Sequence, residues 1–426
     1  MNKDLNTSLN NYAIRIILIV YGVFLFTYCT KEKSEFPQFV STQPSIHQIK
    51  QSIFIKSIKD IESLDPAKRS ELIKRLIKLY PVSPVIEDSA LAILYWYGKA
   101  ENVLINGDIQ NSWSKPDTMI KISCTHSALF YKIYSLPLDT RVDYLLSIDG
   151  KETLDPRNTV ITPSGFGNRS QLAMPLFKSD SVLLFHKNKL YGSLDTLVVK
   201  TNNLSGSKRN LIIYKPFNYD SLNKLPVLFV NDGFKALSFS LYKNVLDNLI
   251  FDEKIKPILV VFIKFEEGDQ NYFLNKTDKY VSFLCDELVP FIDSQFKTSQ
   301  LSENRGVTGI SAGGNISLLT PIIRPDVFSK GAGQSSTVTE VLLEQVSNLN
   351  STGKYKNHKF YFDVGIYDLN FGSSHGASFF DLNQSLVRKF SKRVDHRFQT
   401  LTDGHQWANW RERTDDILVY FFGIRK

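Results

Sequence analysis

The sequence predicts two folded parts in series: a small β-sandwich, then an α/β domain with a mostly parallel sheet flanked by helices. Three observations carry that expectation. Between residues 89 and 177, short strand-like runs alternate with turns rich in Gly, Pro and Asp. From residue 190 onward, strand patterns alternate with helical ones. Within that second part, residues 226–230 (PVLFV) and 258–263 (ILVVFI) are unbroken apolar runs, the pattern of central strands buried on both faces.

Composition narrows the function classes. The 426 residues leave room for two or three domains at about 150 residues each. Apolar residues make up 42% and aromatics 12%, which excludes a disordered chain. Three cysteines exclude a disulfide scaffold. The 51 Lys and Arg exceed the 43 Asp and Glu by 8, a mild surplus with no basic block interleaved with aromatics, so nucleic acid is not an expected partner.

The chain opens on residues 16–27 (IILIVYGVFLFT), which carry no charge and follow Lys3 and Arg15. As a helix this run rises about 18 Å, short of the roughly 30 Å hydrocarbon core. A positive flank before a short apolar run is a signal-peptide pattern, which assigns residues 1–30 to export. Cys29, followed by the polar run TKEKSE, resembles a bacterial lipoprotein processing site. The resemblance implies lipidation of Cys29 and a body anchored at the membrane in the periplasm or cell envelope. Tyr28 stands where such sites usually have a small residue, and an uncleaved N-terminal anchor is the alternative.

Residues 31–88 read as a tether followed by a helical segment. Ile46, Ile49, Ile53, Ile58, Ile61 and Leu64 are spaced for one helix face. Asp65-Pro66 then signals a second helix start, with Leu72, Ile73, Leu76, Ile77 and Tyr80 apolar and Pro81 and Pro84 stopping it. Both helices are expected to pack against the body.

In residues 89–177 the expected strands are 90–97, 102–106, 119–123, 130–135 and 144–149. The run YGKAENVLINGD (97–108), then Trp113, Asp149-Gly150 and DPRN (155–158), resembles the immunoglobulin-like modules in front of starch-processing enzymes and some esterases. Trp113 has two readings: a face for stacking on a sugar, or a half-buried plug of the sandwich, and the plug is favoured.

The chemistry lies in the α/β domain. Its expected strands include 197–200 and 210–214 as an antiparallel pair, 305–309 and 359–364; residues 286–296 and 316–323 read as helical. Gly309-Ile310-Ser311-Ala312-Gly313-Gly314 sits between a strand and a helix, the setting of a nucleophile elbow. The turn forces Ser311 into a strained backbone, and glycines two residues away avoid collision. The Ala312 N–H would face a forming oxyanion. Nucleophilic Ser needs a base. Among seven histidines, His405 follows the last strand (398–401), and His375 is its main competitor; His358 and His396 look like surface residues. Asp368, just past the strand 359–364, is the expected acid, with Asp403 as the fallback. Ser311, Asp368, His405 is the chain order of nucleophile, acid and base that accompanies a nucleophile elbow. A second oxyanion donor is expected from Gly233 or Phe234, after strand 226–230, while Gln334-Ser335-Ser336 is a second segment that could line the cleft. Cys285 falls on the apolar stripe Val281, Leu284, Leu288, Ile292 and reads as a structural thiol. No pattern of metal ligands or phosphate-cradling loop is found, so no cofactor is expected.

The segments PVLFVNDG (226–233), DELVPFI (286–292), GISAGG (309–314), GIYD (365–368) and GHQWANWR (404–411) resemble the enterochelin esterase and feruloyl esterase-like group of α/β-hydrolases. The resemblance spans residues 190–426. It implies an α/β-hydrolase fold preceded by the immunoglobulin-like module, with the nucleophile, acid and base on Ser311, Asp368 and His405 and with Trp407 and Trp410 either walling the substrate site or, equally, packed in the core. Asn231-Asp232 stands where many relatives have Leu-Leu-Asp or His-Gly, which bears on the oxyanion loop. The expected function is cofactor-free serine carboxylester hydrolysis of a siderophore-like lactone or a carbohydrate-linked ester. The alternatives are an inactive surface glycan-binding or interaction protein, and an acyltransferase.

Overall fold

The computed structural model describes residues 42–87, 90–352, 357–370 and 378–424. The leader with Cys29 and the loop with His375 lie outside the described residues.

The front part starts with helices Ile46–Gln51, Ile53–Glu62 and Pro66–Leu79. The apolar spacing predicts one helix through residues 46–64, but Ser52 divides it. Its backbone closes the first helix, and its hydroxyl accepts from the Ile55 N–H at 3.0 Å to cap the second. Phe54, Ile55, Ile58 and Ile61, with Ile73, Leu76 and Ile77 of the third helix, bury Leu91, Ile93 and Tyr95 of the strand Leu91–Gly98. The alternate residues Ala92 and Leu94 face the opposite way, into the core between two sheets. Burial on both faces explains why this strand reads as a continuous apolar run.

The two sheets are antiparallel throughout. One joins Val85–Glu87, Leu91–Gly98, Ala128–Ser135 and Ile120–Ser123; the other centres on Val103–Gly107, Arg141–Ile148 and Arg169–Ala173. Val103, Ile105, Phe130, Tyr134, Val142, Tyr144 and Leu172 fill the space between them. Trp113 is half-buried. Its indole N–H donates to Asp108 Oδ1 at 3.1 Å, and the Arg169 guanidinium lies 4.7 Å from its ring centre.

The second part is an eight-stranded sheet: β1 (Ser193–Lys200), β2 (Lys208–Lys215), β3 (Val227–Val230), β4 (Leu259–Ile263), β5 (Arg305–Ile310), β6 (Lys330–Gln334), β7 (Lys359–Tyr367) and β8 (Asp395–Gly404). Their spatial order is β1-β2-β4-β3-β5-β6-β7-β8. β1 and β2 are antiparallel to their neighbours, and β3 through β8 are parallel. Val227, Phe229, Val261, Val307 and Phe362 face one helical layer, which includes Ser311–Ile323 and Phe379–Lys389. Leu228, Val230, Val260, Phe262 and Tyr361 face the other, which includes Tyr242–Phe251 and Thr414–Phe422. Two apolar faces per strand account for PVLFV and ILVVFI. Cys285 is buried in the first layer, where desolvation pushes its thiol up to about 12.

Two histidines depart from the surface positions expected of them. His358 is buried at the foot of β7, with Nε2 3.0 Å from the Pro321 carbonyl and its ring stacked on Phe360. His396 is half-buried, stacked on Phe362 across the β7–β8 pair. A polar local sequence hides both placements, because the covering groups come from distant segments.

Candidate active site

The functional side chains gather beyond the C-terminal ends of the parallel strands. β5 ends at Ile310, and a helix begins at Ser311 itself, not after Gly314 as the sequence suggests. Ser311 has φ +50°, a left-handed conformation that costs a residue with a Cβ of the order of 1–3 kcal/mol. A methyl group on Gly309 would lie 2.5 Å from the Gly313 carbonyl oxygen, so the turn closes only without a side chain there. The Thr337 N–H holds the Ser311 carbonyl at 2.9 Å from the neighbouring loop after β6. Ala312 lies in the first turn of the helix, where N–H groups lack an intrahelical acceptor. Gly233 and Phe234 have the same property at the start of the helix Gly233–Phe239, directly after β3.

His405 and Asp368 follow β8 and β7. His405 Nδ1 lies 2.7 Å from Asp368 Oδ1, and both groups are buried. The carboxylate accepts, so Nδ1 carries the proton and Nε2 is left as the basic nitrogen. The Leu369 N–H donates to the same Oδ1 at 2.7 Å, while Oδ2 has no hydrogen-bond partner among the described residues. Asp403, the fallback acid, is instead paired with Arg413, which also binds Asp363 at 3.1 Å. Burial pushes the Asp403 carboxyl up to about 6, against the pull of Arg413.

The imidazole is packed edge-on between Trp410, at 4.8 Å between ring centres, and Phe379, at 5.0 Å. Trp410 is fully buried and donates its N–H to Ser335 Oγ at 2.9 Å. It therefore backs the His405 imidazole. Gln334, Ser335 and Ser336 are likewise buried beneath this layer and do not line the cleft. Trp407 packs on Trp410 at 5.4 Å and forms a wall of the cleft at Ser311. The two tryptophans thus link the serine turn to the His–Asp pair. Ser311 and His405 form no direct hydrogen bond among the described residues; such bonds are often long before substrate arrives.

The cleft has a volume of about 240 Å³. Beside Ser311, Ala312 and Trp407 it is lined by Asp232, Lys235, Phe265, Gln270, Phe273 and, from the front module, Phe166. The Lys235 ammonium lies 5.8 Å from the Phe166 ring centre and 6.0 Å from that of Phe265. Desolvation pushes the Asp232 carboxyl up to about 7; nearby Lys235 opposes this and Asp269 adds to it. Asp232 was legible only as part of the oxyanion loop. Lys235 and Phe166 carry no local signal, because a cleft wall is assembled from segments far apart in the chain.

A cluster of three or more His, Cys, Asp or Glu able to hold a metal ion is absent among the described residues. An uncharacterised protein of Bacillus subtilis, YjcH, is 24% identical over 209 residues, covering 47% of this chain and 86% of that one. An endo-1,4-beta-xylanase/feruloyl esterase of Xylanibacter ruminicola is 28% identical over 211 residues, 45% of this chain but only 28% of that longer relative. The crystal structure of an enterobactin esterase from Shigella flexneri, obtained in the presence of enterobactin, superposes with a TM-score of 0.63 at 17% identity, covering 77% of this chain and 92% of that one. At that identity the likeness speaks for the fold. Residues 202–421 match the family model described as "Putative esterase". With the strand order, the serine turn and this match together, the chain belongs to that enterochelin and feruloyl esterase-like family and is a carboxylic ester hydrolase of the α/β-hydrolase type.

Proposed function

We propose that ester hydrolysis runs through Ser311, His405 and Asp368 as nucleophile, base and acid. The observation that carries this reading is the left-handed Ser311 at the strand–helix junction, on the sheet end that also bears the hydrogen-bonded His405–Asp368 pair. Ser311 Oγ attacks the ester carbonyl, and His405 Nε2 takes the hydroxyl proton. The tetrahedral oxyanion is held by the Ala312 N–H and by Gly233 or Phe234, each at a helix start where the backbone dipole favours negative charge. His405 returns the proton to the leaving alcohol, and water then clears the acyl-enzyme. Asp368 keeps the imidazole in the required tautomer and stabilises its cation.

The substrate in this reading is a siderophore-like lactone or a carbohydrate-linked ester. The walls of Phe166, Phe265, Phe273 and Trp407 suit a flat acyl group, and Lys235 adds a cation at the rim. Turnover of a short p-nitrophenyl ester by the purified chain tests the mechanism. Ser311→Ala is expected to lower kcat on the order of 10⁶-fold. Unchanged turnover in that variant would rule the mechanism out.

A further inference from the structure

The front module reaches the acid–base half of the site with the half-buried Asn111 and the buried Asp108 and Arg141. Asn111, itself left-handed at φ +51°, extends its side-chain amide to two backbone carbonyls of the acid loop. Nδ2 donates to the Ile366 carbonyl at 2.9 Å and to the Asp368 carbonyl at 2.9 Å. The Asn370 N–H returns a bond to the Asn111 carbonyl at 2.7 Å. Three hydrogen bonds from one module residue therefore bracket the aspartate that orients the imidazole. The last residues of β7, Ile366 and Tyr367, are buried within the module's own apolar core.

A second contact grips the residue before the histidine. A methyl group on Gly404 would lie 2.3 Å from Asp108 Cγ, so the Asp108 carboxyl rests directly against the Gly404 backbone. Asp108 is 1% exposed and is held by the Trp113 indole N–H and, at 3.0 Å, by the Asp143 N–H. Asp143 is paired with Arg141 at 2.7 Å. Arg141 in turn donates to Asn409 Oδ1 at 2.7 Å, and Asn409 Nδ2 donates to the Gly404 carbonyl at 2.8 Å. The backbone that aims His405 is thus held from the module on one side and through Asn409 on the other. Burial, with Asp143 beside it, pushes the Asp108 carboxyl well above the usual carboxylate range, as expected where charge is costly to bury.

We propose that the front module is a positioning element of the active site, in which Asn111 sets the loop of Asp368 and Asp108 seats the backbone of His405. The claim rests on the Ser311–His405–Asp368 reading given above. Asn111 touches neither substrate nor reacting atoms; it acts through Asp368. Displacing a catalytic group by about 1 Å costs on the order of 10²-fold even when the change lies far from the chemistry.

The test uses the full chain and two replacements that tolerate a left-handed backbone. Asn111→Asp is isosteric and replaces the amide donor with an acceptor facing two carbonyls; Asn111→Gly simply deletes the donor. Both are expected to lower kcat on the order of 10²-fold with KM unchanged, and to unfold close to the wild-type temperature. In an Asp368→Asn background the same replacements should cost nothing further, because a residue that acts through Asp368 has nothing left to position. Wild-type kcat in both Asn111 variants, a raised KM at unchanged kcat, or a loss that multiplies undiminished with Asp368→Asn would each overturn the positioning role. Wild-type activity in Asp368→Asn alone would instead defeat the triad reading, and the positioning claim with it.

Discussion

The turn that carries Ser311 and the loops that carry Asp368 and His405 lie at the same end of one sheet, yet they are held by different kinds of contact. The serine turn is nearly self-contained: β5, a strained residue, a helix start and Gly309 packed on Gly313 lie within a few residues of one another. The loops of Asp368 and His405 are instead contacted by the front module. Asn111 reaches Ile366 and Asp368 across 255 and 257 residues of chain, and Arg141 reaches Asn409 across 268. In the proposed triad, the Ser311 turn is shaped by local geometry and the His405–Asp368 pair by tertiary contact. Damage to either half should therefore leave a different signature.

The largest expected effect lies in the self-contained half. Gly309→Ala puts a methyl group against backbone that has no way to rotate aside. It displaces both Ser311 and the Ala312 donor, and is expected to cost on the order of 10²–10³-fold in kcat by initial-rate assay. Retention of full activity would mean that the turn is softer than its packing implies. Gly404→Ala strikes the other half. Its methyl group meets Asp108, so the His405 backbone must move; the expected loss is about 10–10²-fold, with the serine turn itself intact. Pairing Gly404→Ala with Asp108→Gly, which removes both the carboxyl and the Cβ that the methyl group would meet, is expected to recover part of the rate. A pair no better than the single variant would locate the damage elsewhere.

The smallest expected effect concerns Asp232 in the cleft. Its folded-state carboxyl sits at about 7 against an ordinary value of 3.8 because burial disfavours the anion. The native state then binds this proton more tightly than the unfolded chain does. The contribution of the group to stability falls as pH rises from 3.8 through about 7, and changes no further above that. Urea denaturation at about pH 5 and about pH 8 should show a smaller loss of stability over that interval in Asp232→Asn than in the wild type. Equal losses would show that the proton is not held there.

The same contrast explains what was legible in the sequence. GISAGG could be read because a nucleophile elbow is a local object, and PVLFV and ILVVFI could be read because burial on two faces removes polar residues from a short run. The pairing of Asp368 with His405 was legible from their positions just past β7 and β8. The helix start at Ser311 was misjudged by a few residues, because three glycine or alanine positions in the turn mask it. Asn111, Asp108 and Arg141 gave no signal: an Asn in a turn and an Asp–Arg pair in a strand are ordinary until the partner loop is known. Trp407 and Trp410 read alike, as wall or as core, since the spacing of the two indoles does not tell that Trp407 faces the cleft and Trp410 backs the imidazole.

The most direct test of the account is to identify the residue that becomes covalently modified. A fluorophosphonate probe reacts only with an activated serine, and peptide mapping by mass spectrometry reads the site. A single adduct on Ser311, formed much more slowly in His405→Ala, is the predicted result. An adduct on any other residue, or ester turnover that continues while Ser311 stays unlabelled, would contradict it.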